Sequence, residues 1–499
     1  MTLFLRRHPL AVLLPVQALL GFWHLGLLSP WMDEAGTLLA LHKPLPDVIA
    51  FAAADVHPPF YYLLLYGWLR IPLGLDWAVQ ARALSVIFAL LTTVALDSLW
   101  TRTLPARVRW WTLALWSLSP CLLLYSRMCR SYSLQALLIC VGAACLLRLA
   151  GQPGWRAGGW FTLVLLATLY THYAPGIALL MAANIFLLYC RRIAPLLAVD
   201  VAVAAGYAPW IWRLAASLGS WGRQGPGYNL TGMPLLELPV KAAYWAVSFA
   251  MGEAVPDLIL VLGVAIIAAA LWLLYAGARQ YRRTAALTGV LTAIGFVGVA
   301  RWVSYPFVPA RMLFVLPFFL MMLAAGAGVH RRAGNLVLGA MVVFSLSGAW
   351  CYFHRSNFRN KQYPMPMAEI ARYIRENSTA ANSVILVDSA NSDPVALRYA
   401  LGASRGVVPS ESADIETLLE NPRLQIVWFL RNTHDVSPGG QNARIEARLR
   451  AVVRPAVFYY QPYTLLERTL MPAVGIANPP WYFHELLQFG PLGRDTTRR

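Results

Sequence analysis

The sequence predicts a polytopic α-helical membrane protein with a small α/β domain at its C-terminal end. Three observations carry this. Of 499 residues, 58% are hydrophobic and only 13% are charged, against about 45–50% and about 25% in soluble domains. Apolar runs of spanning length recur as far as Tyr352, and a lipid-exposed backbone must satisfy its hydrogen bonds within each segment, which favours helices. From Phe353 onward charge rises, and short strand-like and helix-like stretches alternate. The expected division is therefore 1–352, a transmembrane domain, and 353–499, an extracytoplasmic α/β domain and tail.

Taken in order, the chain opens with Arg6-Arg7-His8 and the apolar run Leu10–Leu28. This resembles a secretion signal, but it has no Ala-x-Ala site and is long enough to span, so it is read as an uncleaved first helix. Further runs lie near 77–100, 110–126, 131–149, 158–171, 173–190, 194–212, 256–276, 284–302, 310–329 and 334–352. Arginines cluster at 102/107/109, 148/156, 191/192, 279/282/283 and 331/332. If 58–75 does not cross, every cluster shares a side with Arg6 and Arg7. If it crosses, all of them move outside. The positive-inside rule selects the first arrangement. About eleven spans result, with the N-terminus inside and a first outer loop over 29–76. Within that loop, 58–75 is a juxtamembrane helix whose first turn holds Pro58-Pro59, where a missing N–H costs least.

The net charge of +18 reflects those loops, and nucleic acid is not an expected partner. Nineteen Trp and twenty-two Tyr suit interfacial belts. The six cysteines (121, 129, 140, 145, 190 and 351) lie in or beside membrane runs without CxxC or metal spacing. They read as small apolar packers, with a Cys121–Cys129 disulfide as the alternative. In the outer domain the pattern predicts helices near 365–377, 393–401, 412–421 and 440–452. Strands are predicted at 384–387, 425–430, 457–460 and 464–466. No Gly-rich phosphate loop occurs there, so binding or covering a site is expected of it rather than catalysis.

Acids beside a bilayer are costly unless they face water, a partner or a substrate. The first outer loop nonetheless holds Asp33, Glu34, Asp47 and Asp55, with His57 two residues after the last. Four other features fall on the same face: Asp55-x-His57-Pro58-Pro59 itself, Arg127-x-x-Arg130-x-Tyr132, Thr171-His172-Tyr173, and Tyr305-Pro306 through Arg311. Carboxylates on one loop and guanidinium groups on others suit an anionic, membrane-embedded substrate, because Arg grips phosphate oxygens in pairs. Plainer readings stand beside this. Asp33-Glu34 fits a solvated loop, Arg127 and Arg130 fit snorkelling side chains, and His172-Tyr173 fits an aromatic belt. Arg311 opens a helix, where a cation opposes the dipole, so an anion nearby is expected.

The order WMDEAGTLL, DVHPPFYYLLLYGW, RMCRSYSL, THY and PARMLFVLP resembles the GT-C superfamily of lipid-linked-sugar glycosyltransferases. It is similar to the bacterial family related to protein O-mannosyltransferases and the lipid A aminoarabinose transferase. The resemblance covers roughly 1–352 and the layout with an outer C-terminal domain. It implies an integral-membrane inverting glycosyltransferase at the outer face of a bacterial cytoplasmic membrane. Such an enzyme moves a monosaccharide from a polyprenyl-phosphate donor to an envelope glycan, lipid or protein. By the resemblance Asp33, with Glu34 and Asp55, forms the catalytic acid group, Asp33 activating the acceptor. Arg311, Arg127, Arg130 and His57 hold the donor phosphate, and His172, Tyr173, Tyr132 and Tyr305 line the pocket. Met312 stands where relatives carry Tyr after the late Arg. No cofactor is implied, and a divalent metal stays open. The rival reading is a transporter or lipid flippase, which would place ionisable groups near the bilayer midplane. Here they crowd one interface.

Overall fold

The computed structural model describes residues 8–55, 57–221, 237–302 and 308–388. Beyond those it describes 394–402, 405–410, 413, 417–418, 421, 423–432, 445, 447, 453–462, 464–473 and 481–489. Contacts divide the chain into two units, 1–25 with 40–350 and 26–39 with 351–499. The segment 26–39, which overlaps the start of the predicted loop 29–76, thus groups with the C-terminal part.

The first unit is helical. Among the described residues six helices are long and apolar enough to cross a membrane: Trp77–Thr101, Tyr132–Gly151, Ile193–Ala215, Asp257–Gln280, Pro309–Val329 and Arg331–Phe353. Large apolar side chains such as Leu258, Val261, Val264 and Leu271 point outward from Asp257–Gln280, which is the pattern of a lipid-facing helix. The other expected runs are shorter or interrupted. The first helix, α1 (Pro9–Phe22), has 14 residues, about 21 Å at 1.5 Å per residue. The run 110–126 forms two helices, α6 (Ala106–Ser117) and α7 (Pro120–Ser126). The break falls at Ser119, whose hydroxyl accepts from Leu122 N at 3.2 Å as Pro120 restarts the helix. Helices Trp155–Leu169 and Tyr173–Tyr189 have 15 and 17 residues, and Arg282–Trp302 opens on two arginines. A helix absent from the sequence reading, α12 (Glu237–Met251), precedes Asp257–Gln280.

Residues 58–75 contain one helix, α4 (Phe60–Leu69), of 10 residues. About 15 Å of helix does not traverse a hydrocarbon core of about 30 Å. Its end is clamped to the next helix: Trp68 Nε1 donates to Gln80 O (2.7 Å), while Gln80 Nε2 donates to Trp68 O (2.9 Å) and Ile71 O (2.8 Å). Asp76 then caps α5 (Trp77–Leu96), accepting from Ala78 N and Val79 N. A topology reporter fused after Asp76 is therefore expected on the same side as one fused after Gly36. Opposite sides would mean that 58–75 crosses.

Helices pack closely where side chains are absent. Asp257–Gln280 and α15 (Leu316–Val329) cross at Gly277 and Gly326. A Cβ on either glycine would run into a carbonyl oxygen of the other helix, Met322 O or Leu273 O respectively. All six cysteines are free thiols, so the Cys121–Cys129 disulfide is not formed.

The second unit is a five-stranded sheet of order β2-β1-β3-β5-β4. Its strands are β1 (Ser383–Val387), β2 (Val407–Pro409), β3 (Ile426–Asn432), β4 (Val453–Pro462) and β5 (Trp481–Phe489). β1 is parallel to both neighbours, and β5 is antiparallel to β3 and β4. Alternate residues serve opposite faces. Ile385, Val387, Trp428, Leu430 and Leu486 pack with Ile370, Ile374, Leu397 and Leu401, while Leu386, Val427, Phe429, Leu487 and Phe489 form a second cluster. Ala35 joins the first of these. Its segment is also tied down by Arg355 Nη2 to Leu27 O (2.5 Å), by Ala368 N to Ser29 Oγ (3.1 Å) and by the Trp31–Tyr363 edge contact.

One predicted element differs. Residues 464–466, expected as a strand, begin a helix, Leu465–Ala473. Thr464 and Glu467 explain it: Thr464 N donates to Glu467 Oε2 (2.8 Å) and Glu467 N to Thr464 Oγ1 (3.2 Å), a reciprocal capping box. The predicted strand 457–460 lies within a longer one, β4. β2 and β5 were not predicted. The predicted helices at 412–421 and 440–452 lie largely outside the described residues.

Candidate active site

Most of the predicted site residues of the first unit converge. The turn after helix Leu45–Ala54 carries Asp55 and His57, and His57 N is held by Ala52 O at 2.8 Å. Phe60 N, opening α4, donates to Tyr170 O at 2.8 Å. That bond brings the 55–60 turn beside the Thr171-His172 turn. Arg130 lies in the turn between α7 and α8 (Tyr132–Gly151). Its carbonyl accepts from Ser85 Oγ (3.2 Å), which is itself bonded to Tyr61 OH (2.9 Å). Arg311 sits on the 3-10 helix Pro309–Val315.

His57 Nδ1 faces the Asp55 carboxylate at 3.0 Å and Asp55 O at 2.7 Å, and His57 Nε2 faces Arg130 Nη2 at 3.4 Å. Burial raises the Asp55 carboxyl, but the hydrogen bond and charge of His57 and the charge of Arg130 outweigh it. Asp55 is held below the usual carboxylate value. His172 caps the helix Tyr173–Tyr189, its Nδ1 accepting from Ala174 N at 3.2 Å. An accepting Nδ1 requires the neutral imidazole with its proton on Nε2. Burial, followed by the charges of His57, Arg311 and Arg130, holds His172 well below the usual imidazole range. The charges of His57, Arg311 and Arg130 thus all reach His172. Arg311 Nη1 is buried and has no hydrogen-bond partner among the described residues. A buried guanidinium N–H without an acceptor is costly, and a phosphate oxygen would remove that cost.

Other residues go elsewhere. Arg127 is fully buried, and its Nη1 donates to Leu20 O (2.8 Å), Gly21 O (2.9 Å) and Trp23 O (2.7 Å), its Nη2 to His24 O (2.6 Å). These are the carbonyls that the end of α1 leaves unsatisfied. His24, at φ 47, turns the chain there. Arg127 is thus a helix cap, occupied by main-chain oxygens. Tyr132 is buried with its ring edge-on to Tyr125 at 5.7 Å. Tyr173 OH accepts from Trp210 Nε1 at 3.1 Å. Tyr305 lies outside the described residues. Asp33 and Glu34 belong to the second unit, in the first turn of helix Met32–Leu41, where carboxylates suit the helix dipole. Glu34 is 1% exposed and Asp33 is half-buried.

Sequence reasoning missed Glu253. It is 1% exposed and accepts hydrogen bonds from Tyr125 OH, Tyr244 OH (2.7 Å) and Ser248 Oγ (3.1 Å). The one available signal was an acid in a chain poor in them. Among the described residues no three His, Cys, Asp or Glu side chains stand together as a metal-binding group.

This multi-pass helical unit has the fold of the GT-C membrane glycosyltransferases, the class whose motif order the sequence resembles. ArnT from Cupriavidus metallidurans bound to undecaprenyl phosphate is similar at a TM-score of 0.53 and 13% identity, over 96% of this chain and 97% of that one. The same protein in the apo state is similar at 0.54, with the same identity and coverage. At that identity the likeness establishes the fold alone. No protein-family model and no curated protein sequence matches the chain.

Proposed function

We propose that this protein is an inverting glycosyltransferase that moves a monosaccharide from a polyprenyl-phosphate donor to a glycan, lipid or protein acceptor. The outer face of a bacterial cytoplasmic membrane is its place of action, with the C-terminal unit on that side. The observation that carries the reading is Arg311 Nη1, buried without an acceptor among the described residues, on a side chain whose charge reaches His172 as those of His57 and Arg130 do. Undecaprenyl phosphate bound to a protein of the same fold supports a lipid phosphate as the missing anion.

In the reaction an acceptor oxygen attacks the anomeric carbon from the face opposite the phosphate. The bond from that carbon to the phosphate oxygen breaks, its electron pair stays on the phosphate, and the acceptor proton passes to a carboxylate. Arg311, Arg130 and His57 stabilise the departing charge, an electrostatic contribution that is often the largest in such steps. The leaving phosphate is a weak base, so no general acid is needed, unlike in inverting glycosidases. Asp33 is the base by the resemblance. Asp55, ion-paired and held low, is better suited to orienting His57 than to taking a proton. Arg127, already engaged by four carbonyls, leaves the phosphate to the other three.

The test is incubation of the detergent-purified protein with a series of polyprenyl-phosphate monosaccharides and envelope extracts. The expected result is release of free polyprenyl phosphate together with a glycosylated acceptor. Lipid movement across proteoliposomes without sugar release would mark a transporter and overturn the reading.

A further inference from the structure

Glu253 is a fully buried acid that the reaction above does not use. It follows Gly252, whose φ of +81 lets the chain turn tightly against Pro120, at the start of α7. From there its carboxylate accepts from Tyr244 and Ser248 on α12 and from Tyr125 on α7. Tyr125 lies two residues before Arg127, at the end of the helix that leads into the turn carrying Arg130. Its ring meets the edge of Tyr132, the residue at which the chain leaves that turn. Tyr125 therefore braces the turn at entry and exit, and Glu253 sets the direction in which Tyr125 points.

Helix packing alone does not ask for this acid. Apolar residues of similar volume hold buried helices at least as well as a buried charge does. What a saturated polar network adds is a single arrangement of its members. We infer that Glu253 is a positioning residue: through Tyr125 it holds the 127–131 turn so that Arg130 meets the phosphate of the lipid donor. This rests on the proposed function and deepens it, naming a residue remote from the phosphate that tunes donor affinity.

The experiment is equilibrium binding of radiolabelled undecaprenyl phosphate to purified protein in detergent, with thermal unfolding measured on the same samples. Glu253→Gln and Tyr125→Phe are each expected to weaken binding by about tenfold, within the range of up to about 10² that small misplacements cost. The double variant should be no worse than either single one. Glu253→Gln should add little to Arg130→Ala and add fully to Arg311→Ala, since its effect passes through Arg130 alone. A merely structural role would lower the unfolding midpoint and leave the affinity of folded protein unchanged, and that result overturns the inference. Full additivity with Arg130→Ala overturns it too. Tyr125→Phe leaves Glu253 two donors and carries the test alone if Glu253→Gln does not fold. If the wild-type protein binds no undecaprenyl phosphate, the functional reading fails and the inference falls with it. If binding depends on Arg130 and Arg311 but not on Glu253, only the inference fails.

Discussion

Arg311→Ala is expected to reduce turnover by about 10²–10³-fold, the usual cost of deleting one preorganised donor from a developing negative charge. The loss should appear in the maximal rate and also in the donor dependence, with the protein still folded in detergent. The reason lies in the buried Nη1, which has no acceptor among the described residues. Arg311→Lys separates the functional from the bland explanation. An interfacial Arg that merely snorkels tolerates Lys, since both carry one charge on a flexible stem. A phosphate ligand does not, because Lys lacks the planar fork that engages two oxygens. Arg311→Lys should therefore weaken donor use, less than Arg311→Ala does. A donor titration on purified variants, with thermal unfolding as control, decides it. Unchanged donor dependence in both variants would remove Arg311 from the site and leave the phosphate to Arg130 and His57.

Asp33→Asn should lower turnover at least ~100-fold, the lower end for a positioned general base, while donor binding stays near wild type. Asp55→Asn should behave differently. Its carboxylate is bonded to His57 at 3.0 Å and held low by that contact and by Arg130, so it is a poor proton acceptor near neutral pH. Losing it should chiefly raise the donor concentration needed for half-maximal rate, because His57 loses its orienting partner. The measurement is the split between maximal rate and donor dependence for each variant. A dead Asp55→Asn beside an active Asp33→Asn would reverse the two assignments. Activity in both would place the base outside the first outer loop.

What the sequence by itself determined about this protein is whatever a few neighbouring residues decide. Runs of apolar residues dictate membrane helices because the bilayer admits few other backbones. Pro58-Pro59, expected in the first turn of the 58–75 helix, instead stand just before α4, with Pro59 at its N-cap. Thr464 and Glu467 were legible as a cap, three residues apart, but the aromatic neighbourhood concealed them. The charged turns stood out too, since charge beside lipid is costly enough to be informative, and within the first unit Asp55, His57 and Arg130 come together. Tertiary structure alone decided which charges do what. Arg127 and Arg130 are three residues apart and look alike in sequence. One is drawn to the carbonyls of Leu20 to His24, about a hundred residues earlier, and the other faces His57. The pairing of β5 between β3 and β4, the grouping of 26–39 with the C-terminal unit, and the burial of Glu253 against Tyr125 are of the same kind. Each depends on contacts between segments far apart in the chain, where no local propensity or spacing records the partner.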